Sequence, residues 1–246
     1  MIDKIVPSAR EAVADVRDGA TVMIGGFGTA GMPSELIDAL IEAGARNLVI
    51  VNNNAGNGDT GVARLIKEKR VRRIVCSFPR QADSWHFDAA YRAGEIELEL
   101  VPQGNLAERI RAAGAGIGAF YTPTGYGTLL AEGKETREID GRPYVLEYAL
   151  HADFALIKAL RGDRLGNLVY RKTARNFGPI MAAAARCTIA QVTEVVKVGE
   201  LDPECVVTPG IHVRRVVSVP GTAGAAPAQG ATHASAPSAG PGEVAA

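Results

Sequence analysis

The chain has 246 residues and no surplus of either charge, with 27 Lys and Arg against 27 Asp and Glu. A protein without a net basic field does not hold nucleic acid or an anionic membrane by charge, so neither is expected as a partner. Cysteine is scarce. Cys76, Cys187 and Cys205 are an odd number, far apart and without a C-x-x-C. That excludes a disulfide framework and points to reduced thiols in a cytoplasmic protein. His86, His151, His212 and His233 are scattered, and none has ligand spacing with Cys or a carboxylate. No metal is expected. No apolar run approaches ~20 residues, and Asp3 and Lys4 sit early, so neither a membrane span nor a signal peptide is read. Gly-Lys-Ser/Thr is also missing after the glycine-rich stretch, which excludes a P-loop.

Apolar residues make up 47% and charged residues 22%, ordinary proportions for a globular chain. Residues 1–219 contain no repeat or linker-like stretch and are read as one α/β domain. From Pro220 the chain is mostly Ala, Gly and Pro. Such a composition buries too little surface to offset its ordering entropy, so 220–246 is expected to be a disordered tail. Ser8-Ala-Arg-Glu11 is a capping box heading a first helix. Strands are expected at 21–24, 48–51, 73–76, 96–101, 144–148, 154–159, 168–170, 187–192, 206–209 and 213–217. Helical spacing covers 34–43, 62–69, 84–93, 103–113 and 178–185. The alternation predicts an open, mostly parallel sheet covered by helices. Gly114–Gly133 has no helical period and is expected to be a long loop.

Thr21–Ile24 runs into Gly25, Gly26, Phe27, Gly28, Thr29, Ala30 and Gly31, then into a helix. Strand, glycine loop and helix together suit a phosphate or an oxyanion, because backbone N–H groups can approach it closely. A tight turn that binds nothing is the alternative. Gly26, Gly28 and Gly31 spell G-x-G-x-x-G, but the next strand ends in Asn52–Asn54, without the acidic residue of a dinucleotide site. Asn53, Asn54 and Gln103 bring amides to the ends of two further strands. Amides hold a carbonyl or carboxylate oxygen without changing charge. In open α/β sheets ligands bind beyond the carboxyl ends of the strands, so these stretches can meet on one edge. Arg80, just past the third strand, belongs to the same edge, with a solvent-facing loop arginine as the alternative. Arg171, Lys172 and Arg175 form a basic cluster with three readings: phosphate, partner subunit or solvent. Glu35 suits a helix start, and Glu132 and Glu135 read as solvated loop carboxylates.

Asp18-Gly19, apolar 22–24, Gly25-Gly26-Phe27, Gly31 and Pro33 fill every fixed place in a signature of the family I coenzyme A transferases. VNNNAGNGDTG (51–61), residues 99–128, EGKE (132–135), RKTARNFGPI (171–180) and GELDPE…TPGI (199–211) are similar to the α subunit of these enzymes. The resemblance covers about residues 1–219. It implies an α/β fold shared with some sugar-phosphate isomerases and deaminases, the rival class. It implies CoA esters as substrates, no permanently bound cofactor, and CoA binding at Gly25–Gly31. It also implies ping-pong transfer through a glutamyl-CoA thioester, with Asn53 and Gln103 beside the reacting glutamate. The family's nucleophile lies in a Ser-Glu-Asn-Gly segment of the second subunit, and these 246 residues contain none. No catalytic nucleophile is therefore assigned to this chain, and a hetero-oligomer with a separate CoA-transferase β subunit is expected. The sequence stops where a fused two-half enzyme would continue. Succinyl-CoA as donor and 3-oxoadipate as acceptor are implied, in aromatic-compound catabolism, with Arg80 for the acid's remote carboxylate. Acetoacetate is the alternative acid. A remoter alternative is a non-catalytic subunit that only binds CoA.

Overall fold

The computed structural model describes residues 2–219; the expected tail, 220–246, lies outside the described residues. In chain order the elements begin β1 (Ile5–Val6), α1 (Ala9–Ala12), β2 (Thr21–Ile24), α2 (Ser34–Ala43), β3 (Leu48–Val51) and α3 (Val62–Lys67). Next come β4 (Val71–Cys76), α4 (Trp85–Arg92), β5 (Glu97–Leu100), α5 (Gln103–Gly114) and β6 (Ala119–Thr122). The chain continues through β7 (Thr136–Ile139), β8 (Arg142–Tyr148), β9 (Ala152–Asp163), β10 (Leu168–Val169), α6 (Gly178–Ala184), β11 (Ala185–Val196) and β12 (Arg215–Ser218).

The main sheet has nine strands in the order β1-β12-β11-β9-β2-β3-β4-β5, with β10 beside β9. Only β10 runs antiparallel to its neighbour. Parallel central strands are covered on both faces and so read as unbroken apolar runs; β2 is Thr-Val-Met-Ile and β3 Leu-Val-Ile-Val, nearly all buried. The pleat sorts them. Val22, Ile24, Leu48 and Ile50 pack with Leu36 and Leu40 of α2 and Leu65 of α3. Met23, Val49 and Val51 face the other way, with Leu106 and Ile110 of α5 and Met181 of α6. Each such burial contributes about 1.5–3 kcal/mol. α2 stops at Gly44, whose φ of 88° supplies the left-handed cap.

From β2 the chain winds outward through β3, β4 and β5, then returns to place β9 on the other side of β2. The boundary between β2 and β9 is therefore a topological switch point, where such sheets open a crevice for ligands. β9 pairs with β2 only over Phe154–Leu156, then continues beside β11 to Asp163. Residues from Lys158 onward thus stand past the end of β2.

Three expectations need correction, and one strand went unread. Residues 114–133 are not one long loop, because β6 pairs antiparallel with β8 there. β7, unread in the sequence because Thr-Arg-Glu-Ile is exposed on all sides, completes a separate three-stranded sheet β6-β8-β7. The first helix is a single turn, although Ser8 does cap it, accepting from the Glu11 N–H at 3.1 Å. Val206–Pro209 is no strand; only Thr208 forms a lone bridge, to Leu168.

Candidate functional site

The glycine loop leaves the sheet at the switch point itself, with the Gly25 N–H donating to Leu156 O of β9 at 2.9 Å. Phe27 and Ala30 exchange N–H···O bonds of 3.0 and 3.2 Å across the turn. The N–H groups of Gly28, Thr29 and Gly31 have no partner among the described residues. What holds the loop is Asn176. Its Oδ1 accepts from the N–H groups of Gly26 at 3.1 Å and Phe177 at 2.7 Å. Its Nδ2 donates to Ala30 O and Thr173 O, both at 2.9 Å. Sequence reasoning missed this residue. It lies 150 positions from Gly26, and an Asn between Arg and Phe carries no spacing that announces a loop clasp. Gly31 has φ 76°, and a Cβ there would collide with the Ala174 carbonyl oxygen. The loop therefore packs directly on segment 171–176.

The amides come together as expected. Asn53 lies two residues past the end of β3 and is 2% exposed. Its Oδ1 accepts from Ser77 Oγ, after β4, at 2.8 Å and from Gln103 Nε2, at the start of α5, at 2.8 Å. With Oδ1 doubly occupied, Asn53 has its Nδ2 left as the donor for a ligand oxygen. Asn54 is as deeply buried, and its Nδ2 has no partner among the described residues. It lines a cavity of about 80 Å³ with Gly28 and Thr29 of the glycine loop. A buried amide left without any partner costs about 1–3 kcal/mol. Asn52 is structural. Its Nδ2 donates to Ile24 O at 2.6 Å and its Oδ1 accepts from the Asn54 N–H at 3.0 Å.

Arg80 is placed differently. Its Nε donates to Asp88 of α4 at 2.7 Å, and its guanidinium lies 5.8 Å from the centre of the Tyr91 ring. It is held toward α4, and the structure gives it no bond to Asn53 or Gln103.

None of the three thiols is poised as a nucleophile. Burial pushes the Cys76 thiol up to about 12, and it also raises Cys187; Cys205 is raised by its hydrogen bond to Asp202. The buried carboxylates are engaged. Glu147 takes Lys134 Nζ at 2.7 Å and Asn105 Nδ2 at 3.2 Å, while Asp163 takes the N–H groups of Leu165 and Asn167 in a turn. Glu135 is exposed and accepts from the Tyr121 hydroxyl. Among the described residues no group of three His, Cys, Asp or Glu is placed to hold a metal, and no helix is long and apolar enough to cross a membrane. What the edge does offer is a set of neutral donors, the backbone N–H groups of the glycine loop and the amides of buried Asn53 and exposed Gln103. Such donors stabilise an oxyanion without titrating.

Residues 6–219 match the family model described as coenzyme A transferase. The chain is 70% identical over 223 residues to the A subunit of 3-oxoadipate CoA-transferase from Pseudomonas putida, covering 91% of this chain and 96% of that one. It is 52% identical over 210 residues to the A subunit of succinyl-CoA:3-ketoacid coenzyme A transferase from Xanthomonas campestris, covering 85% and 86%. In structure it is similar to the acyl-CoA transferase of Escherichia coli O157:H7 solved as a thioester complex with CoA, with a TM-score of 0.77 at 24% identity. The match covers 88% of this chain but only 50% of that longer one.

Proposed function

This chain belongs to the coenzyme A transferase family, and from that premise we propose that it is the A subunit of a heteromeric enzyme moving CoA from succinyl-CoA to 3-oxoadipate. The observation that carries the reading is the Asn53–Gln103 amide pair on the same sheet edge as the glycine loop. The drop from 70% identity with a 3-oxoadipate enzyme to 52% with a 3-ketoacid enzyme favours 3-oxoadipate over acetoacetate.

The chemistry needs a carboxylate nucleophile, which this reading assigns to the β subunit. That carboxylate attacks the succinyl-CoA carbonyl. The C–S bond breaks, leaving an acyl anhydride and CoA thiolate. The thiolate then attacks the enzyme's own acyl carbon and releases succinate, giving an enzyme thioester. 3-Oxoadipate takes the same two steps in reverse and leaves as its CoA ester. Each attack puts negative charge on a carbonyl oxygen. Asn53 Nδ2, the remaining Gln103 N–H and the loop N–H groups are the donors for that charge. The saturated Glu147 and Asp163 support placing the nucleophile on the partner. CoA esters pass through as substrates, with no resident cofactor proposed.

The test is reconstitution. The purified chain alone should not turn over succinyl-CoA with 3-oxoadipate, and adding the β subunit should restore transfer, with 3-oxoadipate used better than acetoacetate. Full turnover by the chain alone would overturn the heteromeric reading. Better use of acetoacetate would overturn only the choice of acid.

A further inference from the structure

The chemistry above leaves one buried polar group unused. Asn54 is 2% exposed, and its Nδ2 is sealed from solvent without a hydrogen-bond partner among the described residues. Arg70 Nε and Gln81 Oε1 share that state. But Arg70 still spends Nη1 on Gly44 O at 2.9 Å, and Gln81 is only half-buried. Neither borders the pocket that Asn54 lines.

That pocket, of about 80 Å³, lies on the α2 and α3 side of the sheet edge. Buried Asn54 and Val62 form its floor, and exposed Thr29, Ser34 and Thr60 stand at its mouth. Gly28 and Thr29 add backbone N–H groups that have no partner among the described residues. Ser34 opens α2, a helix of 10 residues whose N-terminus carries partial positive charge. No Lys, Arg, Asp or Glu is among the lining residues. Asp59, in the same loop as Asn54, is turned to Lys67 and His86 at 2.7 and 2.9 Å, and Glu35, beside Ser34, is exposed. The lining therefore offers hydrogen-bond donors and no charge. One water needs ~10–15 Å³ of such space, so the pocket has room for a carboxylate and none for a nucleotide.

We propose that this pocket receives the remote carboxylate of 3-oxoadipate, and that Asn54 is the residue that tells this acid from acetoacetate. The inference rests on the transferase reading and deepens it, by naming the group that selects the acid. The reacting carboxyl belongs at Asn53 and Gln103, on the α5 side of the same edge. Asn54 follows Asn53 in the chain, so an acid laid over the strand end reaches from one to the other. Arg80, committed to Asp88, leaves the remote carboxylate without a cation. Neutral donors at a helix N-terminus hold an anion without a counter-ion. The last torsion of an Asn side chain is broad and roughly two-fold, so the amide turns toward a ligand oxygen at little cost. Acetoacetate has no carboxyl beyond the one that reacts, so it leaves Asn54 unpaired. A site built to bond a substrate oxygen discriminates against the analogue that lacks it.

The experiment uses the reconstituted heteromeric complex, succinyl-CoA as donor, and three acceptors: 3-oxoadipate, its 6-methyl ester and acetoacetate. In a ping-pong scheme kcat/KM for the acceptor reports only the half-reaction that meets it. Asn54→Leu keeps the size of the side chain and removes the donor. It should lower kcat/KM for 3-oxoadipate about tenfold or more relative to acetoacetate. It should also bring 3-oxoadipate and its ester, which the wild type separates, within about threefold of each other. Asn54→Asp, nearly isosteric, should depress 3-oxoadipate and spare the ester, and it decides the matter if Asn54→Leu melts well below wild type. An equal loss on all three acceptors, or unchanged ratios, would overturn the pocket's role and make Asn54 a structural residue. If the wild-type complex transfers CoA to none of these acids, or uses acetoacetate better, it is the underlying reading that fails. Melting then decides the pocket by itself. Adipate should stabilise the wild-type complex more than hexanoate, which lacks the second carboxylate, and Asn54→Leu should erase the difference. Equal stabilisation by the two acids in the wild type would overturn the pocket.

Discussion

The loop after β4 and segment 171–176 both carry arginine near the ligand edge of the sheet, and they spend it differently. Arg80 is tied to Asp88 and lies over Tyr91. Arg171 and Arg175 are tied to nothing among the described residues and line open cavities beside the glycine loop. Charge type and strand-end position are the same in both; what differs is whether a carboxylate is within reach. Asp88 commits the charge of Arg80 to the fold, while that of Arg171 and Arg175 stays unmatched among the described residues. Between the two loops lies the amide pair, since Asn53 is bonded to Ser77 of the first and is reached by Gln103 from α5.

The largest effect should fall on that pair. On the proposed reading Asn53→Ala and Gln103→Ala each remove a donor to the developing oxyanion. In the reconstituted complex kcat should drop roughly ten- to a thousand-fold, with KM for succinyl-CoA changed much less. Wild-type kcat in both variants would take the pair out of the site and leave the two loops without a shared centre.

Next comes the contact between the glycine loop and segment 171–176. Gly31→Ala forces a methyl into the Ala174 carbonyl, whereas Gly28→Ala meets open space and bears only the cost of a φ of 60°, about 1 kcal/mol. Gly31→Ala should therefore impair kcat/KM for succinyl-CoA at least tenfold more than Gly28→Ala. Asn176→Ala frees both ends of the loop and should raise KM about tenfold, with partial rescue by Asn176→Asp, which keeps the Oδ1 acceptor. Equal kinetics for the two glycine variants would show that the loop and the segment work independently.

A third effect is on stability. Burial pushes the Glu99 carboxyl up, but Arg109 and Arg73 outweigh it and hold it below the ordinary range. The folded state then binds this proton more weakly than the unfolded chain. The stabilisation is complete above the usual carboxyl value of about 4.3 and is lost as pH falls through the lower folded value. Glu99→Gln should cost about 1–3 kcal/mol at pH 7 by leaving Arg109 short of a partner. Denaturant melts from pH 7 to 3 should show a shallower acid slope for the variant; parallel curves would refute the assignment.

Much of this was legible in the sequence. β2, α2 and β3 follow their apolar patterns to the residue, because buried parallel strands read as unbroken apolar runs and an amphipathic helix repeats its apolar face, both visible in the residue order. The convergence of Gly25–Gly31, Asn53 and Gln103 followed from strand ends on one edge. β7 did not announce itself, since it is an exposed strand with no apolar face to read. Nor did Asn176 or the pairing of Arg80. Both depend on which side chain is nearby in space, across 150 positions in one case and across a turn of unknown shape in the other.

The smallest expected effect is at Arg80, and it separates the two arginine loops most directly. The sequence position suggested that Arg80 holds the remote carboxylate of 3-oxoadipate, in which case Arg80→Ala would erode the preference over acetoacetate by ~1.5–3 kcal/mol. In the structure its Nε is already matched by Asp88, and the pair is half exposed, with side-chain exposures of 56% and 30%. Such pairs contribute about 0–1 kcal/mol, and a guanidinium drawn toward α4 has its charge largely balanced before any substrate arrives. The 3-oxoadipate to acetoacetate ratio of kcat/KM in Arg80→Ala should therefore stay within about threefold of wild type, with at most a slight loss of thermal stability. Asp88→Asn sharpens the test, because it releases Arg80 without removing it. If Arg80 is structural, neither variant moves the ratio. A fall of tenfold or more in Arg80→Ala, or a rise in Asp88→Asn, would mean that the arginine swings across to the acid, and that a paired arginine on this edge can still serve a ligand.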